Sequence, residues 1–507
     1  MALFLGIDIG TSGVKAVLVD ERDKVAAEAG APLAVSRPRP LWSEQAPEDW
    51  WRATAATLDA LAERHPELMR RVQAIGLSGQ MLGVTLLDSD GRALRPALLW
   101  NDGRAEREGA ELEALIPDFA GLTGARAMPG FPAPKLRWLA KHEPETLERA
   151  RSILMPKDFV RLRLTRETAC DRADASATLL MDTVAGEWSP AILDNVGIDR
   201  GRLPRLAESA EVIGALAREH ADRWGLQPWT PVIAGAGDNM CGGIGAGVIR
   251  PGQAFISLGT SGVYFLANDR FVPSRGSGMH THRHALPGLY CQQGCILSAA
   301  GALAWIAGIL GEEDVAGLIA SVEAAGCVIA TTPVFTPYLS GERTPHDDPH
   351  LTAAFSGLTL STTRADLVHA VLEGVALAFA DCHRALASTG AMIDELLLIG
   401  GGARSRLWAR LIASAIDLPL IVPSNAAVGP ALGAARLARL ALGLPLLADG
   451  SDAAAETVTP SEAMAEALAE KRARYESHRA IMGVDPCRPS VNDRDTPVHV
   501  MRDERRG

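Results

Sequence analysis

The pentapeptide Gly-Thr-Ser-Gly-Val occurs twice, at residues 10–14 and 259–263, and each copy stands between two strand-like apolar runs. A supersecondary unit repeated in both halves of a chain points to two related domains rather than one enlarged core. The length, 507 residues, agrees, because a single core rarely grows that far. Around the first copy, LFLGIDI, VKAVLVD and KVAAEA are separated by short turns and read as an antiparallel meander opening a mixed sheet. PEDWWRATAATLDALAERHP follows. Pro47, Glu48 and Asp49 suit a helix N-terminus, and Trp51, Leu58 and Leu61 recur at helical spacing. Strands VQAIGLS and GVTLLD come next, and the second half adds a long amphipathic helix, the strand ELLLIG and the helix SRLWARLIASAI. The expected fold is α/β in layers, with domains at 1–240 and 241–450 and a terminal helix and loose tail over 451–507.

Charge and composition remove several classes of function. Fifty basic residues against 61 acidic ones give a net charge of −11, which disfavours a broad phosphate-neutralising surface for nucleic acid. The start, MALFLGIDIG, lacks a signal peptide's charged end, and no apolar run is long enough for a membrane helix, so a cytoplasmic enzyme is expected, bound to neither membrane nor nucleic acid. Seven cysteines without a CxxC pair fit reduced packing thiols.

A strand-turn-strand with Gly10, Thr11, Ser12 and Gly13 at the turn offers backbone N–H groups and two hydroxyls in a nest suited to phosphate oxygens. Gly259, Thr260 and Ser261 repeat it, so two turns could grip a polyphosphate from both sides. Asp8, just before the first turn, could hold a hydrated Mg²⁺. An ordinary hairpin is the alternative for either turn alone, and no P-loop motif is present. Between the halves, PVIAGAGDNMCGGIGAGV runs from strand through glycines to Asp238 and Asn239 and then into a small-residue helix start. Helix N–H dipoles there are expected to favour an ionised Asp238, able to accept a proton from a substrate hydroxyl. The plainer role for Asp238 is a helix cap. Gly400, Gly401, Gly402 and Ala403 follow ELLLIG, and bare backbone there can lie flat against a ring such as adenine. His280, His282 and His284 alternate in MHTHRHALP and would share one face of a strand, a possible metal set weighed against a structural role. Trp50 and Trp51 read as buried helix residues, whereas Trp100, followed by Asn101 and Asp102, suits a sugar face. Arg343 and His346 lie in a glycine- and proline-punctuated loop without an assigned role.

Taken in order, these segments resemble the FGGY carbohydrate kinases, within the larger group of actin, hexokinase and heat-shock ATPases. GIDIGTSGVKAVLVD looks like that group's first phosphate motif, FISLGTSGVYF like its second and LLLIGGGARS like its adenosine motif. GFPAPKLRWLAKH, around Lys135 and Trp138, and GLTLSTTRADLVHAVLE, ending at Glu373, look like the family's own signatures. The resemblance implies two related actin/hexokinase-like (ribonuclease H-like) domains with a cleft between them. ATP and Mg²⁺ would be held by Asp8, Gly10, Thr11, Ser12, Lys15, Gly259, Thr260, Ser261, Gly401, Gly402 and Ala403, with Asp8 and Asp238 nearest the metal. Asp238 would be the proton acceptor, and Gln80, Met81, Leu82, Trp100, Asp238 and Asn239 would surround the sugar.

Within the family, LWSEQAPEDWW, SGQM, LLWNDGRA, MPGFPAPKLRW, PKDFVRLRLT and PYLSGERTPHDDP look most like the xylulokinase branch. The implied reaction moves the γ-phosphoryl group of ATP to a primary hydroxyl of a ketopentose, D-xylulose giving D-xylulose 5-phosphate. One departure stands out: that branch usually carries Gln-Met-His-Gly where this chain has Gln80-Met81-Leu82-Gly83. Another pentulose, a polyol or a deoxy-ketose such as 1-deoxy-D-xylulose is therefore the alternative substrate. A non-catalytic ATP-dependent switch and a sugar-binding regulator are the competing classes. Sugar and ATP are the expected partners, with a homodimer as the candidate assembly.

Overall fold

The structure, a computed structural model, describes residues 2–276, 278–423, 429–446 and 455–482. Its first seven-stranded sheet runs in the order Val212–Ala215, Pro231–Ile233, Val72–Gly79, Leu3–Ile9, Gly13–Asp20, Val25–Pro32, with Ala236–Gly237 also pairing on Val72–Gly79. The second runs His280–Arg283, Tyr290–Ile296, Gly262–Asn268, Gln253–Leu258, Glu395–Ile399, Leu420–Val422, Glu456–Val458. The central pairing is alike in both. Three antiparallel strands are joined through the first of them to a parallel strand, and the far edge closes on an antiparallel pair, the second sheet adding His280–Arg283 as a fourth antiparallel strand at its edge. The duplicated turn is the first hairpin of each sheet, as its flanking apolar runs require.

Alternation along Leu3–Ile9 sorts its side chains. Leu3, Leu5, Ile7 and Ile9 join the core formed with Trp50, Leu58 and Leu61 of the helix Pro47–Arg64. Phe4 joins the opposite core, and Asp8, of the same parity, is carried to that side of the sheet. There the helix Pro430–Ala441, drawn from late in the chain, lies directly on the first sheet. A Cβ at Gly6 would fall 1.9 Å from the Ala431 carbonyl oxygen, and one at Gly76 1.9 Å from that of Ala434, so only glycine permits this approach. Asp23, in the turn between Gly13–Asp20 and Val25–Pro32, anchors the same helix through Arg436 and Arg439, each at 3.2 Å.

One expected strand of the main sheet lies elsewhere. GVTLLD contributes Thr85–Leu87, which pairs with Ser152–Leu154 in a separate two-stranded ladder, because the chain turns away after Gly79. Near the C-terminus the helix Glu462–Met482 buries Leu468 and Tyr475 in the second domain's core, and Lys471 donates to Thr332 at 2.6 Å and pairs with Glu373. The tail beyond residue 482 and Cys487 lie outside the described residues. The other six cysteines are free thiols.

Candidate active site

Strand register assembles the acidic centre. Asp8 stands opposite Ser78 on the parallel neighbour, and Ala236 and Gly237 stand opposite Ser78 and Gly79 on that strand's other side. Three strand ends are thereby level, and Asp238 is the next residue in line. The Ser78 hydroxyl donates to Asp8 Oδ1 at 2.9 Å. Burial lifts the Asp8 carboxyl to about 6, against the lowering influence of Ser78 and Lys15. Burial lifts Asp238 further, to about 8, with the negative charge of Asp8 adding to it. Asp238 opens the helix Asp238–Ala246, yet the ionising effect of the helix N-terminus expected from sequence is outweighed by desolvation and the neighbouring acid. Asp238 is also not the helix cap, which is Gly237; its Oδ1 accepts from the Asn239 N–H at 2.8 Å.

The first turn is closed by the Gly10 N–H donating to the Gly13 carbonyl at 3.0 Å. Thr11 is built into a relay: the Trp100 indole N–H donates to its hydroxyl at 3.0 Å, and that hydroxyl donates to Gln80 Oε1 at 3.0 Å. Gln80 in turn donates to Gln45 Oε1 at 2.8 Å, and Gln45 donates back to the Thr11 carbonyl at 2.7 Å. Gln80 is therefore a buried support behind the turn, not a wall of the cavity described below. Ser12 and Lys15 are exposed, and Lys15, cross-strand from Asp8, pairs with Glu28 at 3.0 Å.

In the second domain, Ser257 stands opposite Ile399 on parallel strands, so the short turn Gly401–Arg404 emerges beside Gly259, Thr260 and Ser261. The carbonyls of Gly259 and Thr260 accept from the N–H groups of Ala300 and Ala299, at 2.8 and 2.9 Å. Gly401 is exposed with open space where a Cβ would lie, as a ring-stacking surface requires. Gly402 is glycine for another reason, since a Cβ there would meet Leu258 at 2.5 Å. Ala403 turns inward and joins the core.

Met81, Leu82, Trp100, Asp238 and Asn239 meet around one cavity, closed from the other side by Ser261, Gly262 and Val263. Its remaining walls include Phe131, His280, His282, Gln293, Cys295 and Arg343, none of which the sequence had placed beside the sugar. Asn239 donates to Gln293 Oε1 at 2.8 Å, joining the two halves across it. Leu82 has a left-handed backbone, φ 65°, and its carbonyl accepts from the buried Lys135 ammonium at 2.9 Å. The alternating histidines were the one visible signal. His284 separates from the other two, its Nε2 lying 3.1 Å from the Val248 carbonyl oxygen. Among the described residues the three imidazoles form no metal cluster; the acid and thiol groups of Asp158, Cys170 and Asp171 do converge, but the Lys157 ammonium supplies the cation, 2.7 Å from Asp158 and 2.6 Å from Asp171. Trp50 is fully buried as expected, and His346 lies 3.2 Å from the Tyr338 hydroxyl rather than in the cavity wall.

Two family profiles match in tandem: the N-terminal domain of the FGGY family of carbohydrate kinases over residues 3–245, and its C-terminal domain over 254–442. The chain belongs to the FGGY family of carbohydrate kinases. As an FGGY kinase it uses ATP and binds a sugar. Among this FGGY kinase's relatives, the xylulose kinase of Escherichia coli strain K12 is 45% identical over 440 residues, 87% of this chain and 90% of that protein. The xylulose kinase of Bacillus subtilis strain 168 is 34% identical over 445 residues, 87% of this chain and 89% of that one. The crystal structure titled as a xyloylose kinase from Brucella ovis superposes with a TM-score of 0.89 at 42% identity, covering 95% of this chain and all of that one. Both mixed sheets of this FGGY kinase thus follow the actin-like fold of its relatives. No helix among the described residues is long and apolar enough to cross a membrane.

Proposed function

We propose that this FGGY kinase transfers the γ-phosphoryl group of ATP to the primary hydroxyl of a ketopentose, D-xylulose giving D-xylulose 5-phosphate. The observation that carries this reading is the cavity in which the Asp238 carboxylate lies among Met81, Leu82, Trp100 and Asn239, in a chain 45% identical to a xylulose kinase. Asp238 accepts the proton of the attacking hydroxyl. Its raised affinity, about 8, suits a base that takes a proton near neutrality and gives it up again. Asn239 and Trp100 orient the sugar, and the cavity walls limit the water able to compete for the phosphoryl group. The two turns and Gly401 cradle ATP from the neighbouring ends of both sheets.

Mg²⁺ fits this donor set. Two acids raised by burial, Asp238 also by the charge of Asp8, are stabilised by a cation beside them, so Asp8 and Asp238 would hold it. When bound, it would neutralise charge on the phosphates. We divide the chain near residue 240 into a sugar-binding and a nucleotide-binding domain. The need for ATP and the free, buried thiols Cys170, Cys241 and Cys382 accord with the cytoplasm.

A second reading has its own observation. Leu82 lines the cavity, at the position where the xylulokinase branch usually carries an imidazole. That favours tolerance of a deoxy-ketose such as 1-deoxy-D-xylulose. Coupled measurement of ADP over pentuloses, hexuloses, polyols and deoxy-ketoses tests both readings. D-xylulose is expected to stimulate ADP release, and Asp238→Ala to lose about 10²–10⁴-fold in turnover. ADP release at one rate with every sugar and with none would remove the kinase reading.

A further inference from the structure

The strand His280–Arg283 is the edge of the second sheet, with His280 opposite Gln293 and His282 opposite Cys291. Residues two apart on a strand share a face, and here that face forms part of the sugar cavity. Both imidazoles are almost fully buried, 4% and 1% exposed. They are also held in place: their ring centroids lie 5.7 Å apart, and the Phe131 ring stands edge-on to His280 at 5.0 Å. Despite that burial, His280 Nε2 and His282 Nδ1 each lack a hydrogen-bond partner. Buried polar atoms are nearly always paired, so two unpaired nitrogens on neighbouring rings of one cavity wall mark hydrogen-bonding capacity unmet within the protein.

The surroundings narrow what those groups are. Burial holds both rings well below the usual imidazole range, and the Arg343 charge acts in the same sense on His280. Each ring is therefore neutral, with one nitrogen a donor and the other an acceptor. An anion would find little charge on the rings themselves, and among the described residues the histidines join no metal-ligating cluster. A hydroxyl group, which both donates and accepts, matches a neutral imidazole whichever tautomer it holds. The nearest amide is already committed: Gln293 accepts from Asn239 at 2.8 Å and donates to Cys291 Sγ at 3.4 Å. Leu82, Met81 and Phe131 have no polar side-chain atom able to hydrogen-bond an alcohol strongly.

We propose that His280 and His282 are specificity-determining residues that read hydroxyl groups of the acceptor sugar from the second domain, supplying polar recognition that Leu82 cannot supply from the first. The proposal rests on the sugar-kinase reading of this cavity. It makes sugar recognition a property of both domains, since the imidazoles and Leu82 come from opposite halves of the chain.

The test uses atom-matched variants of the full chain. Asn in place of His282 keeps a polar atom near Nδ1, Gln in place of His280 keeps one near Nε2, and Phe at either position keeps a ring without either. The substrate is whichever sugar in the ketose and polyol panel the wild type turns over best. His280→Phe and His282→Phe are each expected to lower kcat/KM for it by about 10–100-fold, as for a lost hydrogen bond to a bound hydroxyl. KM for ATP should stay within about twofold, which also shows that the variants are folded. His280→Gln and His282→Asn are expected to recover most of the loss. Against analogues of that sugar lacking one hydroxyl at a time, each Phe variant should lose its deficit for one analogue and keep it for the others. Phe variants within about threefold of wild type, or an equal deficit for every analogue, would overturn the proposal and leave the rings as packing. A wild type without sugar-dependent ADP release would instead overturn the kinase reading, and this proposal with it.

Discussion

The Trp100 indole N–H donates to the Thr11 hydroxyl at 3.0 Å, which fastens a wall of the proposed sugar cavity to the first duplicated turn. The proposed sugar and nucleotide sites would thereby share a strut, continued through Gln80 and Gln45. Trp100→Phe keeps an aromatic wall and removes the donor. One neutral hydrogen bond contributes about 0.5–1.5 kcal/mol, so kcat/KM should fall by up to about tenfold. If the strut matters, the KM values for sugar and for ATP both rise in steady-state assays. A rise for sugar alone would make Trp100 a wall and nothing more.

Asp238 should cost the fold stability in alkali. Its carboxyl is raised from the ordinary 3.8 to about 8, so the folded chain binds that proton more tightly than the unfolded chain. The resulting stabilisation is full below about pH 4 and is lost as pH rises through about 8. Asp238→Asn removes the ionisation. Its Tm should exceed that of wild type by at least about 2 °C at pH 8.5, with the gap closing towards pH 4. Thermal scans without divalent cation read this directly. A variant less stable than wild type at pH 8.5 would reverse the assignment.

The two acids illustrate what was legible in the sequence and what was not. Asp8 and Asp238 stand beside glycine turns, a local signal, but their convergence depends on Leu3–Ile9 and Ala236–Gly237 sharing the neighbour Val72–Gly79. Spacing along the chain does not encode that. Gly6 and Gly76 carry no signal of their own in the strand pattern; their purpose becomes visible once Pro430–Ala441 returns to lie on them. The histidine alternation was visible too, yet whether that face meets a metal or a cavity depends on Phe131, from the other half of the chain. Ala403 shows what a motif leaves open: its methyl joins the core, so that position offers a ligand only its backbone.

Lys135 controls the cavity at one remove. Burial drops its amine to about 7, and Nζ donates to the Leu82 carbonyl at 2.9 Å and the Leu98 carbonyl at 3.4 Å. Leu82 has a positive φ, which costs a residue with a Cβ about 1–2 kcal/mol, and this clamp helps to hold it there. Lys135→Met should release the loop while filling the space. The expected outcome is about a tenfold drop in kcat/KM for sugar with an unchanged KM for ATP. Equal losses for both substrates would show a general loss of structure instead.

Leu82 itself offers the sharpest test of which sugar is read. A site that hydrogen-bonds a hydroxyl rejects the analogue lacking it, because its own polar group is then left unpaired. Leucine has no such group, and here the residue lines the cavity with only 7% exposure. Wild type is therefore expected to accept 1-deoxy-D-xylulose with a kcat/KM within about tenfold of that for D-xylulose, one apolar contact being worth about 1–3 kcal/mol. Leu82→His is a mild change for the backbone, since histidine enters the left-handed region more readily than leucine does. It places a donor and acceptor where the methyl groups were. The ratio of kcat/KM values should then move towards D-xylulose by about 10–100-fold. An unchanged ratio would mean that the sugar meets only the backbone at Met81 and Leu82, leaving discrimination to the rest of the cavity.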